Sequence, residues 1–182
     1  MIRGGAVGGG GGGSAGPADL AGYENFAGTS VAAPFSLRYS GVAWARSNDA
    51  GFFRSGGFSR KSPPTPHSGA NSMFVDFEIP TGKVGRFLAV CRVSSEPTFD
   101  TLRVMHGARF ANWASPVGGT ATGSAGQSGQ LLSGNPSIWA YFVVEAVAGL
   151  QTVEFRYSKD GSGAQGNDAA YVDSLALFTV PA

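Results

Sequence analysis

In "LQTVEFRYS" every second residue is apolar, so Val153, Phe155 and Tyr157 fall on one face and Glu154 and Arg156 on the other. A period of two fits a half-buried β-strand and does not fit a helix. "SMFVDFEI" repeats the pattern, setting Met73, Val75, Phe77 and Ile79 against Asp76 and Glu78, with Phe74 as the exception. "DTLRVMHG" puts Leu102 and Val104 on one side and Arg103 and Met105 on the other. "GRFLAVCRV" is apolar on both faces at its centre and reads as a central strand, "SIWAYFVVEAV" is nearly continuously apolar, and "AAYVDSLALFTV" closes the chain. Strands of this number and spacing predict two antiparallel sheets packed face to face, an all-β sandwich.

Composition agrees with that expectation. The 182 residues include 29 Gly, 10 Pro and 13 Phe, a supply of turn formers and strand formers. The length predicts one domain with a single core. A net charge of +1, with charged residues only 14 % of the chain, predicts no nucleic-acid partner, which would demand a concentrated basic stripe. Arg54, Arg60 and Lys61 come nearest to a cluster and read as solvated surface. No window is apolar enough to predict membrane insertion.

The first residues, "MIRGGAVGGGGGGSAGPADL", carry Arg3 but no apolar stretch behind it, so no secretory signal peptide is predicted. Gly8 to Gly13 offer no side chains to bury and have maximal backbone entropy to lose. Residues 1–22 therefore read as a Gly-rich arm, flexible or ordered only against a partner, and residues 23–182 as the sandwich domain. Two internal segments read as loops. "SPPTPHSGANS" is stiffened by three prolines, and "SPVGGTATGSAGQSGQLLSGNPS" is long enough to be a surface recognition loop.

Several short motifs fail on context. "GSGAQG" fits the dinucleotide fingerprint, but strand-like sequence follows it where a helix is required. "GGSAG" fits a nucleophile elbow inside low-complexity sequence, with neither strand nor helix beside Ser14. The single cysteine, Cys91, shares an alternation face with Phe87, Ala89 and Val93 and reads as a buried, inert thiol. Asp160, Asp168 and Asp173 crowd a Gly-rich stretch and admit two readings: oxygen ligands for a calcium ion, or carboxylates that hold turns. As a catalytic pair they lack any sign of a pocket.

Two stretches carry a family resemblance. "RVSSEPTFDTLRVMHG" resembles a segment of a bacterial and phage jelly-roll module that reads loosely "vSsE..yD.L.vyidG", through Ser94, Ser95, Glu96, Phe99, Asp100, Leu102 and Gly107. "LQTVEFRYSKDGSGAQGNDAAYVDSLAL" resembles its closing segment through Tyr157, Lys159, Asp160, Gly166, Asp168, Ala170, Asp173 and Leu175, with Gly134 and Trp139 matching between. His106 and Tyr171 depart from it, standing where relatives carry an acidic residue and a Trp. The resemblance implies a concanavalin-like or MAM-like jelly-roll sandwich of the kind found on surface proteins and phage tail appendages.

Such a module implies glycan binding or adhesion without catalysis. Joined to the Gly-rich arm, it leads to the expectation of a phage virion structural protein: a tail fibre, spike or head-appendage component. That protein would be a homo-oligomer, by analogy a trimer, gripping other virion proteins through the arm and a host surface glycan through the sandwich. Trp44, Trp113, Phe110 and Tyr39 are the aromatics expected in or beside loops where a sugar ring could stack. The alternatives are a capsid or tail decoration protein without glycan binding, and a bacterial cell-surface adhesin. A polysaccharide hydrolase is not expected, because the acidic residues show no spacing that predicts a carboxylate pair across a groove.

Overall fold

A computed structural model describes residues 19–107, 109–110, 112–114, 131–134 and 139–182. Its strands are β1 (Asp19–Glu24), β2 (Ser36–Ser40), β3 (Ala45–Ser47), β4 (Ser59–Lys61), β5 (Ala70–Ile79), β6 (Lys83–Ser94) and β7 (Thr101–His106). They continue with β8 (Arg109–Phe110), β9 (Asn112–Ala114), β10 (Leu131–Ser133), β11 (Ala140–Ala146), β12 (Gly149–Ser158) and β13 (Ala169–Pro181). No helix occurs among the described residues. The larger sheet runs β3-β4-β13-β6-β11-β9, with β1 also paired to β13. The smaller runs β10-β7-β12-β5-β2, with β8 on β7.

The alternation sorts residues as the sequence predicts. Val75, Phe77, Val153 and Phe155 of the smaller sheet, and Phe87, Ala89, Phe142 and Leu175 of the larger, are buried in one core. Phe77 and Phe87 stack across the layer with ring centroids 4.9 Å apart, and Phe35 meets both edge-on. β6 lies between β13 and β11, the central place expected of it. Cys91 is buried in the core, and burial, then the nearby Asp173 carboxylate, pushes its thiol up, away from the reactive thiolate.

The arm is shorter than its expected bounds. Leu20 and Gly22 pair with Phe178 and Leu177, so residues 19–22 form part of β1 and belong to the sandwich. Gly8 to Gly13, and most of the Gly/Ser/Thr loop after Ala114, lie outside the described residues.

One end of the sandwich is tied by the residues of the two resembling segments. Tyr157, fully buried, donates its hydroxyl to Asp168 Oδ1 at 3.1 Å, and the buried Lys159 Nζ forms an ion pair with Oδ2 of the half-buried Asp168. Asp100 Oδ1 accepts from the Asp160 amide at 3.2 Å, while Ser95 Oγ donates to the Asp100 carbonyl at 2.9 Å. The glycines of the discarded fingerprint have backbone work here. Gly163 and Gly166 sit at φ of 70° and 66°, and a Cβ at Gly163 would lie 1.9 Å from Glu96 Oε2.

Asp100 is fully buried and its Oδ2 has no hydrogen-bond partner. Burial, reinforced by the charge of Asp168, raises its carboxyl pKa, against the Asp160 amide and Lys159, which lower it. A raised carboxyl favours the protonated form in the folded chain. The stability it contributes is complete below the ordinary aspartate range and is lost as pH rises through its folded value. Asp100→Asn keeps an acceptor for the Asp160 amide and removes that penalty. Its melting temperature is therefore expected to exceed wild type at pH 7, with the gap closing toward pH 4. Paired thermal melts check this, and a gap independent of pH would refute it.

Candidate functional site

The two outer faces differ in character. The outer face of the smaller sheet is polar. Arg38 pairs with Asp76 at 2.7 Å, Thr152 donates to Asp76 at 2.5 Å, and Ser72 donates to Glu154 at 2.6 Å. Burial raises the Asp76 carboxyl, but its bonds from Arg38 and Thr152 outweigh this and hold it below the ordinary range.

The outer face of the larger sheet is apolar. Inward positions of β6 and β11 are filled by Phe87, Ala89, Cys91, Phe142 and Val144, so their neighbours Val84, Leu88, Val90, Tyr141 and Val143 face out. In β13, Ala176, Phe178 and Val180 continue that surface, and Tyr23 and Leu20 of β1 extend it, paired with Ala176 and Phe178. The result is a groove with two hollows. The first, of ≈ 240 Å³, is lined by residues including Tyr23, Arg54, Ser55, Leu88 and Ser174. The second, of ≈ 680 Å³, is lined by residues including Val84, Val147, Phe178 and Val180, with Arg86 and Glu145 paired at 2.7 Å beside them.

A β-bulge shapes the first hollow. The register of β13 on β6 shifts between Val172 and Ser174, so Val172 and Leu175 are both in the core and Asp173 lies between them. Asp173 is fully buried and every lone-pair direction is used. Its Oδ1 accepts from the amides of Arg54 (2.5 Å) and Ser55 (3.1 Å). Its Oδ2 accepts from Ser55 Oγ at 3.1 Å and from Ser174 Oγ. Ser55 Oγ also lies 3.0 Å from Ser174 Oγ and 3.3 Å from the Tyr23 hydroxyl. A buried carboxylate thus anchors a chain of three hydroxyls that ends at a 46 %-exposed aromatic ring.

Loop 49–57 folds over the neighbouring part of the sheet. Phe52 stacks on Tyr171 with centroids 4.4 Å apart, and Arg92 lies 4.6 Å above Phe52. Asp49 accepts from Lys61 Nζ at 2.7 Å and from the Tyr171 hydroxyl at 2.9 Å. The Lys61 bond, opposed by burial and joined by the Tyr171 bond, holds the Asp49 carboxyl below its ordinary range. Arg54, carried by this loop, reaches over Tyr141 at 5.2 Å.

The aspartates expected to share a cation are not gathered. Asp168 serves Lys159 and Tyr157, Asp160 accepts from the Ser162 amide at 2.8 Å, and Asp173 anchors the groove. Among the described residues no group of three or more His, Cys, Asp or Glu side chains is arranged to hold a metal ion. Their turn-holding reading fits the bonds they make.

The expected stacking aromatics are corrected too. Trp44 is 1 % exposed and packs inside the core, and Tyr39 lies in β2, partly buried against it. Phe110 falls in β8 opposite Met105 of the smaller sheet, and Trp113 in β9 opposite Phe142 of the larger. Trp44 is thus closed off in the core, and the strands that carry Phe110 and Trp113 belong to different sheets. Tyr23, Arg54, Ser55 and Ser174 were missed. The signal that could have found them is the two-sided apolar pattern of "GRFLAVCRV", since a two-layer sandwich has a core on only one side of each sheet.

No family model and no curated protein matches the chain. Among solved structures, the fold is similar to TmCBM61 in complex with β-1,4-galactotriose, at 13 % identity and a TM-score of 0.49, covering 80 % of this chain and 88 % of that one. It is similar to the K1 cleaved adhesin domain of Lys-gingipain from Porphyromonas gingivalis W83, at 14 % identity and a TM-score of 0.47, covering 85 % and 95 %. A third likeness is to the enzymatically active domain of bacteriophage CBA120 tailspike protein 4, at 10 % identity and a TM-score of 0.43, covering 80 % of this chain and 19 % of that one. Likeness at this level is of architecture and does not reach the chemistry of the groove.

Proposed function

From a β-sandwich with one polar and one apolar outer face, we propose a non-enzymatic glycan-binding protein of a phage particle: a tail fibre, spike or head-appendage component. The observation that carries the glycan reading is the hydroxyl chain of Tyr23, Ser55 and Ser174 set against Leu88 and Ala176. Sugars present the same mixture, hydroxyls around an apolar ring face, and a Tyr ring with polar neighbours complements both. Binding rather than hydrolysis is supported by the groove's carboxylates. Glu145 is paired with Arg86, and Asp173 is buried and saturated by its four donors. The particle reading is supported by the jelly-roll resemblance and by the Gly8–Gly13 run as an arm for other virion proteins. Assembly as a homo-oligomer, a trimer by analogy, goes with it and is checked by light scattering of the purified protein.

A glycan array probed with the assembled protein tests the glycan reading. Binding is expected, and Tyr23→Ala is expected to weaken it on the order of tenfold, the value of about 1.4 kcal/mol of stacking. An array with no binding would favour a second reading, a decoration protein whose groove packs against another virion protein. The exposure of Leu20 (59 %) and Val147 (68 %) at its margins favours that reading.

A further inference from the structure

On the opposite face of the sandwich two arginines stand directly across from each other. Arg156 of β12 is the register partner of Arg103 of β7, both outside the core formed by Phe155, Tyr157, Leu102 and Val104. Like charges directly opposite on neighbouring strands repel. Elsewhere on this face the sequence supplies an acid, as Asp76 does for Arg38. Here it does not: among the described residues neither arginine joins an ion pair, and Arg103 Nε is buried with no hydrogen-bond partner. Glu154, one row away, accepts at Oε1 from the Ser72 hydroxyl on β5, the side of β12 remote from Arg103.

We propose that Arg103 and Arg156 form a subsite for one carboxylate or sulfate group of an acidic polysaccharide. Two guanidinium groups on adjacent strands offer planar forks of donors that match a single anionic group. A ligand with two such oxygens relieves the repulsion between the two guanidinium groups. Ser40, exposed at the end of the same register row, is a neutral hydroxyl neighbour suited to the rest of a sugar. The flanking acids Glu154 and Asp76 oppose a continuous polyanion such as nucleic acid, which needs a longer basic track. The polysaccharide class rests on the glycan reading above, but the anion subsite lies on the other face and is tested separately.

The test is a titration of the full chain with sodium glucuronate, following the arginine Nε–Hε signals by NMR. Methyl sulfate, glucose and sodium chloride at matched ionic strength serve as comparisons. Saturable shifts of both Arg103 and Arg156 are expected with glucuronate or methyl sulfate, with a Kd on the order of millimolar. The stronger of the two anions identifies carboxylate or sulfate as the group read. Glucose and chloride are expected to leave both signals in place. Arg156→Gln, at an exposed position, is expected to weaken the anion at least about tenfold. Tyr23→Ala is expected to leave it unchanged, so failure of the groove and failure of this subsite are told apart. Linear shifts equal to those of chloride, or unchanged binding in Arg156→Gln, would overturn the proposal.

Discussion

Replacing Asp173 by Ala is expected to cost the fold about 3–5 kcal/mol, the range for stranding the partners of a buried charge. The substitution leaves the amides of Arg54 and Ser55 and the hydroxyls of Ser55 and Ser174 without their acceptor. At about 2–4 °C per kcal/mol for a chain of this size, the melting temperature should fall by roughly 6–20 °C. Asp173→Asn keeps one acceptor oxygen and should lose less. Loop 49–57 should also become the first site of proteolysis in both variants, because Asp173 is what holds Arg54 and Ser55 to the sheet. Differential scanning calorimetry with limited proteolysis reads both effects. EDTA should leave the wild-type transition in place, since the donors around Asp173 leave no oxygen for a cation. A melting temperature unmoved by Asp173→Ala would show that the loop is held by something else.

Trp44→Ala is expected to be comparably severe, again about 3–5 kcal/mol, for a different reason. Trp44 is among the largest fully buried side chains, and its removal leaves a cavity that rigid strands on two sides cannot close. Trp44→Phe should cost less than the alanine variant, because the indole Nε1 has no hydrogen-bond partner to lose. Glycan binding measured below the melting temperature should survive Trp44→Phe. A loss of binding in Trp44→Phe at unchanged stability would restore this residue to the ligand surface.

The strands were legible in the sequence because each half-buried strand writes its own period. "SMFVDFEI" and "LQTVEFRYS" became β5 and β12 and pair along their whole length. Trp44 was misread because "SGVAWARS" has no period, and only the tertiary fold turns that segment inward. The aspartate cluster misled because proximity in sequence is not proximity of carboxylates: the bulge at Asp173 faces loop 49–57, while Asp168 faces Lys159. The groove is a pairing of strands distant in sequence, β1, β6, β11 and β13, and no local window contains it.

That pairing also bears on when the molecule can come into being. Asp19 lies against Thr179, so the first described strand finds its place only beside the last. During synthesis β1 must wait for nearly the whole chain, its backbone donors unmatched, before β13 leaves the ribosome. Contacts this distant make folding slow and leave unpaired edges open to other chains. That wait is the interval in which an open strand can pair with the wrong partner.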